Sequence, residues 1–85
     1  MFRVLLASKA ERELKSLPIE IITRIDAKIQ ELSNNPNPPH AAKLLGKEKP
    51  GWRIRIGDYR ILYQIDYEQK LVLIYRVKHR REVYR

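Results

Sequence analysis

The segment Asn34-Asn35-Pro36-Asn37-Pro38-Pro39 divides the chain into two parts with different hydrophobic periods. Its prolines remove backbone donors and fix φ, so the segment can sustain neither a helix nor a central strand. Before it, apolar residues recur at three- and four-residue spacing. After it, they alternate. Helices therefore come first and most strands second. Neither part carries enough apolar surface for its own core, so the two must pack on each other as a single domain spanning 1–85. A chain of 85 residues buries only about 60–65% of its unfolded surface, which leaves a small core and a narrow margin of stability.

Phe2, Val4 and Leu6 alternate with Arg3 and Leu5, which predicts a short first strand. Ser8 followed by Glu11 has the spacing of a capping box and predicts a helix from Ser8 to Leu17, with Ala10, Leu14 and Leu17 as its apolar stripe. Leu17-Pro18 ends it, because the residue before a proline is pushed out of the helical region. Pro18 then suits the first turn of a second helix, 18–33, in which Ile22, Ile25, Ile29 and Leu32 form the stripe and Ile21 flanks it. Past the connector, 41–45 reads as one helical turn and 46–51 as a basic loop. Strands are expected at about 52–56, 59–66 and 71–77. Gly57-Asp58 is short enough for a hairpin. Strict alternation puts Tyr59, Ile61, Tyr63 and Ile65 on one face of the middle strand, and Leu71, Leu73, Tyr75 and Val77 on one face of the last. The expected fold is α+β: an N-terminal strand and a two-helix hairpin packed on a mostly antiparallel four-stranded sheet, with cations on the other face and a short basic C-terminal tail.

Charge is distributed unevenly. Residues 1–42 carry six Lys/Arg against five acids, whereas residues 43–85 carry twelve against five, for a net charge of +8 overall. Such a balance implies affinity for polyanions and salt-sensitive association. The chain has no cysteine, which excludes disulfide stapling and thiolate-bound zinc, and its two histidines, His40 and His79, argue against an intrinsic metal site. No cofactor is expected. The opening Met1-Phe2-Arg3-Val4-Leu5-Leu6-Ala7 is too short and too quickly interrupted by charge for a signal peptide, and no apolar run approaches a membrane span. A cytoplasmic protein with no membrane partner is the expectation.

The cations of the second part alternate with rings and aliphatics on the expected strands. Arg53 and Arg55, two apart, project from one face about 6–7 Å apart, a span that engages neighbouring phosphates of one strand. Lys47 and Lys49 extend this patch from the preceding loop, and Lys43 precedes them. Arg60 follows the hairpin turn between Tyr59 and Ile61. A cation there needs either a salt-bridge partner, for which Asp58 and Glu82 are available, or a ligand. Trp52 is either a stacking platform or part of the core. His79 has the only side-chain type whose ordinary pKa lies near neutrality, and it is either a strand-end residue or a proton carrier. Arg80, Arg81 and Tyr84 complete the basic tail. The carboxylates Asp58, Asp66 and Glu68 show no metal-ligand spacing. Metal-free cleavage is open to RNA alone, whose 2′-OH attacks the adjacent phosphate to leave a 2′,3′-cyclic phosphate and a 5′-OH.

Three blocks in order, Lys43-Leu44-Leu45-Gly46, then Trp52-Arg53-Ile54-Arg55-Ile56-Gly57-Asp58-Tyr59-Arg60-Ile61-Leu62-Tyr63, then Val77-Lys78-His79-Arg80-Arg81-Glu82-Val83-Tyr84, resemble the RelE/ParE toxin superfamily of type II toxin–antitoxin modules. The resemblance covers essentially the whole chain and implies a RelE-like fold. RelE-like members bind in the ribosomal A site and cleave the mRNA there; ParE-like members poison DNA gyrase. The resemblance to the RelE branch implies a ribosome-dependent endoribonuclease, with Arg53 and Arg55 as the basic pair and Arg60 on the transition-state phosphate. Arg80 or Arg81 would be the tail arginine, with Tyr84 stacking on or orienting the nucleotide. Some active members carry lysines where this chain has Arg53 and Arg55; arginine clamps phosphate well but is a poor base, which leaves His79 for part of that role. The alternatives are a gyrase-inhibiting toxin and an inactive RNA-binding member. Implied partners are the 70S ribosome with its mRNA and a cognate antitoxin that folds onto this domain, with both helices as its docking surface, in an oligomeric toxin–antitoxin complex.

Overall fold

The computed structural model describes residues 1–43 and 51–79. Its elements are β1 (Arg3–Leu6), α1 (Ser8–Lys15), α2 (Ile19–Asn34), β2 (Ala42–Lys43), β3 (Trp52–Ile56), β4 (Tyr59–Asp66) and β5 (Leu71–His79). The strands form one sheet in the order β1-β5-β4-β3-β2. β1 runs parallel to β5, while β5, β4, β3 and β2 pair antiparallel. The chain therefore starts at one edge, crosses over through both helices, and returns to fill the sheet from the far side.

The helices cover one face. Ala10 of α1 and Ile25 and Leu32 of α2 are fully buried against Ile54, Ile61, Tyr63, Val72 and Ile74. Burying each large aliphatic side chain contributes about 1.5–3 kcal/mol. Leu14 and Leu17 pack at the margin as expected. In α2 it is Ile21 rather than Ile22 that joins the core with Ile25, Ile29 and Leu32.

Four local expectations change. The capping box does not form: the N-cap is Ala7, with no side-chain cap, and the Glu11 amide instead donates to the Ala7 carbonyl at 2.9 Å. Residues 42–43 are not helical but a short edge strand, with Ala42 opposite Arg53 and Lys43 opposite Trp52, so the sheet has five strands among the described residues. β5 continues two residues further than expected, to His79.

The fourth change matters most. Pairing along β4 and β5 jumps from Leu62↔Arg76 to Tyr63↔Ile74, leaving Tyr75 as an extra residue, a β-bulge. The bulge inverts the phase of β5. Val72 and Ile74 face the helices before it and Val77 after it, so Leu71, Leu73 and Val77 do not share a face. The bulge lets both halves of β5 feed one core despite their mismatched alternation.

The connector is built in rather than draped. Pro36 and Pro38 are buried, and the Tyr63 hydroxyl donates to the Pro36 carbonyl at 2.9 Å. Burial, with Tyr67 adding to it, pushes the Tyr63 phenol up to about 12. At the entry to β3 a side chain on Gly51 would stand 2.5 Å from the Tyr63 carbonyl oxygen, so only glycine fits there.

Candidate functional site

The register puts the cations in rows. Residues directly opposite in antiparallel strands share a face, and Arg55 lies opposite Arg60, which lies opposite Lys78. One row of three cations therefore crosses β3, β4 and β5 on the face away from the helices. The next row is Arg53, Leu62 and Arg76. Like charges directly opposite one another destabilise a sheet, and an anionic ligand on this face would offset that repulsion.

Exposure grades along that row. Arg55 is exposed, Lys78 is half-buried, and Arg60 is only 3% exposed. Arg60 is the one charged residue buried among those described. A guanidinium enclosed beside two other cations acts in a medium of lowered dielectric, where its field on a phosphate is strongest.

Arg76 is committed elsewhere. Its guanidinium pairs with Glu13 of α1 at 2.7 Å, so the second row adds Arg53 to the Arg55, Arg60 and Lys78 of the first. Alternation along the end of β5 puts Lys78 on the same face as Arg76. Its membership in the row is a matter of register, for which two-residue spacing from Arg76 was the available signal.

Other candidates fall elsewhere. His79 lies opposite Tyr59, with ring centroids 5.1 Å apart at 88°, on the helix side of the sheet and not with Arg60. Trp52 lies opposite Tyr63 and packs at the margin of the core, on the face opposite Arg53 and Arg55; Lys43 is its exposed neighbour across the β2–β3 pair. Alternation and register thus put Trp52, Lys43 and His79 on the face opposite the arginine rows. Lys47, Lys49, Arg80, Arg81 and Tyr84, with Glu82 as the suggested partner of Arg60, lie outside the described residues.

No group of three or more metal-ligating side chains occurs among the described residues, and no described helix is long and apolar enough to cross a membrane. A cavity of about 540 Å³ lies at the other end of the sheet, beside Asp66, Tyr67 and Leu71, and has no basic residue in its lining among the described residues.

Residues 4–84 match the family described as the ParE toxin of the type II toxin–antitoxin system parDE. The chain is 36% identical over 86 residues to the toxin RelG of Mycobacterium tuberculosis, covering 99% of this chain and 97% of that protein. The toxin–antitoxin complex RelBE2 of the same organism contains a chain that superposes with a TM-score of 0.82 at 32% identity, over 93% of this chain and 98% of that one. The archaeal RelE–RelB complex of Pyrococcus horikoshii contains another, with a TM-score of 0.82 at 29% identity, over 93% and 94%.

Proposed function

The chain belongs to the RelE/ParE superfamily of type II toxin–antitoxin toxins, on its RelE-like side, and from that premise we propose that it is a ribosome-dependent endoribonuclease cutting mRNA in the A site. The observation that carries this reading is the cation row Arg55–Arg60–Lys78, with Arg60 buried at its centre. Arg53 and Arg55 hold adjacent backbone phosphates. Arg60 and Lys78 face the nonbridging oxygens of the phosphate that reacts. The 2′-oxygen bonds to phosphorus as the bond to the 5′-oxygen breaks, leaving a 2′,3′-cyclic phosphate and a 5′-OH. Negative charge builds on the nonbridging oxygens in that step, and the row stabilises it.

By resemblance, Arg80 or Arg81 adds a further cation and Tyr84 stacks on or orients the nucleotide. His79, on the other side of the sheet, is given no part in the step. Arginine carries protons poorly, so this face supplies a clamp more than a base, and orientation of the 2′-OH by the ribosome makes up the difference.

Primer extension on mRNA in a purified translation system tests the reading. Wild-type protein should cut at the A-site codon of occupied ribosomes and leave naked RNA largely intact, and R60A should not cut. Because Arg60 is buried, the exposed R55A, with its fold checked by circular dichroism, serves as a second variant and should also lose activity. A folded R60A protein that still cuts overturns the role of Arg60; a wild-type protein that never cuts overturns the nuclease reading.

One observation favours a second reading: the matched family is described by its ParE members. A gyrase-inhibiting toxin would accumulate cleaved DNA–gyrase complexes in arrested cells while mRNA stays intact. Tight RNA binding with neither product would instead identify an inactive RNA-binding member.

Both toxin readings include an antitoxin. The similar chains from Pyrococcus horikoshii and Mycobacterium tuberculosis were solved in toxin–antitoxin complexes, which supports a partner whose acidic or amphipathic segment folds onto this protein. The helices offer a surface for it: Ile19 at the start of α2 is 68% exposed. Such a partner would neutralise the net charge of +8.

A further inference from the structure

A groove of about 330 Å³ joins the cationic face to the helix layer at the β3–β4 turn, lined by Arg24, Lys28 and Glu31 of α2 and by Arg55, Ile56 and Gly57. Its size is at the lower end of the range of small-ligand sites. Three cations face one carboxylate there, and that carboxylate is already engaged: Lys28 holds Glu31 at 2.8 Å and keeps its carboxyl below the ordinary glutamate value. Lys28 also lies 3.2 Å from His40 Nε2. Arg24 and Arg55 pair with no carboxylate among the described residues. Two guanidiniums from different layers thus converge on one groove, neither with a carboxylate partner among the described residues.

Arg24 meets the hairpin tip at Gly57. The Gly57 φ of +57° lies in the left-handed region that favours glycine, and a Cβ there would make ordinary van der Waals contact with Arg24, 3.4 Å from Nη1 and 3.8 Å from Nη2. The Arg24 guanidinium therefore lies close to the hairpin tip. Forked guanidinium donors match the oxygens of a phosphodiester, and Arg55 belongs both to the groove and to the sheet row.

We infer that this groove is a second phosphate-binding site, which takes a backbone phosphodiester of the RNA strand crossing Arg53 and Arg55 and turns that strand around the hairpin tip onto α2. The inference deepens the nuclease reading and rests on it for the identity of the polyanion. An acidic protein segment is the competing occupant. The RNA strand is favoured because Arg55 makes the groove continuous with the sheet row, along which a polyanionic backbone runs from one cation to the next.

Binding of a single-stranded RNA oligonucleotide, followed by fluorescence anisotropy across a salt series, tests it without reading cleavage. R24A should weaken binding severalfold and reduce the slope of log K against log salt by about 0.7, the loss of one phosphate contact on a single strand. R12A removes the same charge from an exposed position on α1 and should leave the slope unchanged, while R24K should restore most of it. Equal slopes for R24A, R12A and wild type overturn the site. So does an R24A variant that keeps its RNA slope but loses affinity for a polyglutamate peptide, which would assign the groove to an acidic protein. A wild-type protein that binds the oligonucleotide through Arg24 yet never cuts ribosome-bound mRNA refutes the nuclease reading and leaves the phosphate site standing.

Discussion

Glu13 of α1 grips Arg76 of β5 with both carboxylate oxygens: Arg76 Nε lies 3.1 Å from Oε1 and 3.0 Å from Oε2, and Nη2 lies 2.7 Å from Oε2. Oε1 also accepts the Val77 amide at 2.9 Å. The contact stands where β1 has run out. The last β1 partner on β5 is Ile74, so beyond it the strand has an open edge, and Glu13 covers that edge with a side chain in place of another strand. The same contact orders the end of β5, where Lys78 joins the cation row.

Replacement of Glu13 should therefore cost stability in a pH-dependent way. Partial burial pushes the Glu13 carboxyl up, but Arg76, the Val77 amide and Lys9 outweigh it and hold the group below its ordinary value. A carboxyl lowered in the folded state contributes stability that is present above its unfolded pKa and is lost as pH falls through the folded one. Urea unfolding at pH 7 should show E13Q less stable by about 1.5–3 kcal/mol, the range for hydrogen bonds to a charged group. The gap between wild type and E13Q should narrow as the carboxyl is protonated below pH 4. A gap of constant size down to pH 2 would show that packing, and not the charge, holds the edge.

Much of this fold was legible because local chemistry and tertiary structure agree. The proline connector stopped α2, Leu17-Pro18 separated the helices, and alternation located β3 and β4. What escaped depends on register. Glu13 and Arg76 are 63 residues apart, and nothing local to either marks the pair. The Tyr75 bulge reverses the face of residues whose alternation looked regular, because the core had to accept Val72, Ile74 and Val77 together. The edge strand β2 is only Ala42 and Lys43, too short for any period to show. For the site, alternation grouped Arg53 with Arg55, but only cross-strand pairing aligns Arg55, Arg60 and Lys78 and puts Trp52 and His79 on the other side. The Ser8–Glu11 signature failed because the chain enters α1 one residue earlier, with Ala7 at the cap.

Y63F should lower stability by about 1 kcal/mol, since it removes the buried bond to the Pro36 carbonyl and leaves that acceptor unpaired. For a domain of this size that corresponds to a fall in Tm of roughly 4–8 °C. The dependence on pH is opposite to that of Glu13. A phenol raised to about 12 stays protonated in the folded state, so its contribution is whole below the unfolded value near 10 and is lost as pH rises towards 12. Differential scanning calorimetry of both proteins from pH 5 to 9 should give a constant difference. A difference that varies within that window would mean that the hydroxyl is not what ties the connector to β4.

K78A should separate stability from activity. Lys78 lies opposite Arg60, which lies opposite Arg55, and removing one end of a row of like charges relieves repulsion worth about 0.2–1 kcal/mol. The variant should therefore unfold at equal or higher urea concentration than wild type, with the advantage shrinking as salt screens the row. Cleavage of ribosome-bound mRNA should move the other way. A charged hydrogen bond lost at the reacting phosphate, about 1.5–3 kcal/mol, corresponds to roughly tenfold to a hundredfold in kcat/KM. A structural lysine would give the reverse pattern, a less stable protein with full activity, and that result would remove Lys78 from the site. A protein both more stable and less active is what a cation kept for its ligand, at the expense of the fold, should produce.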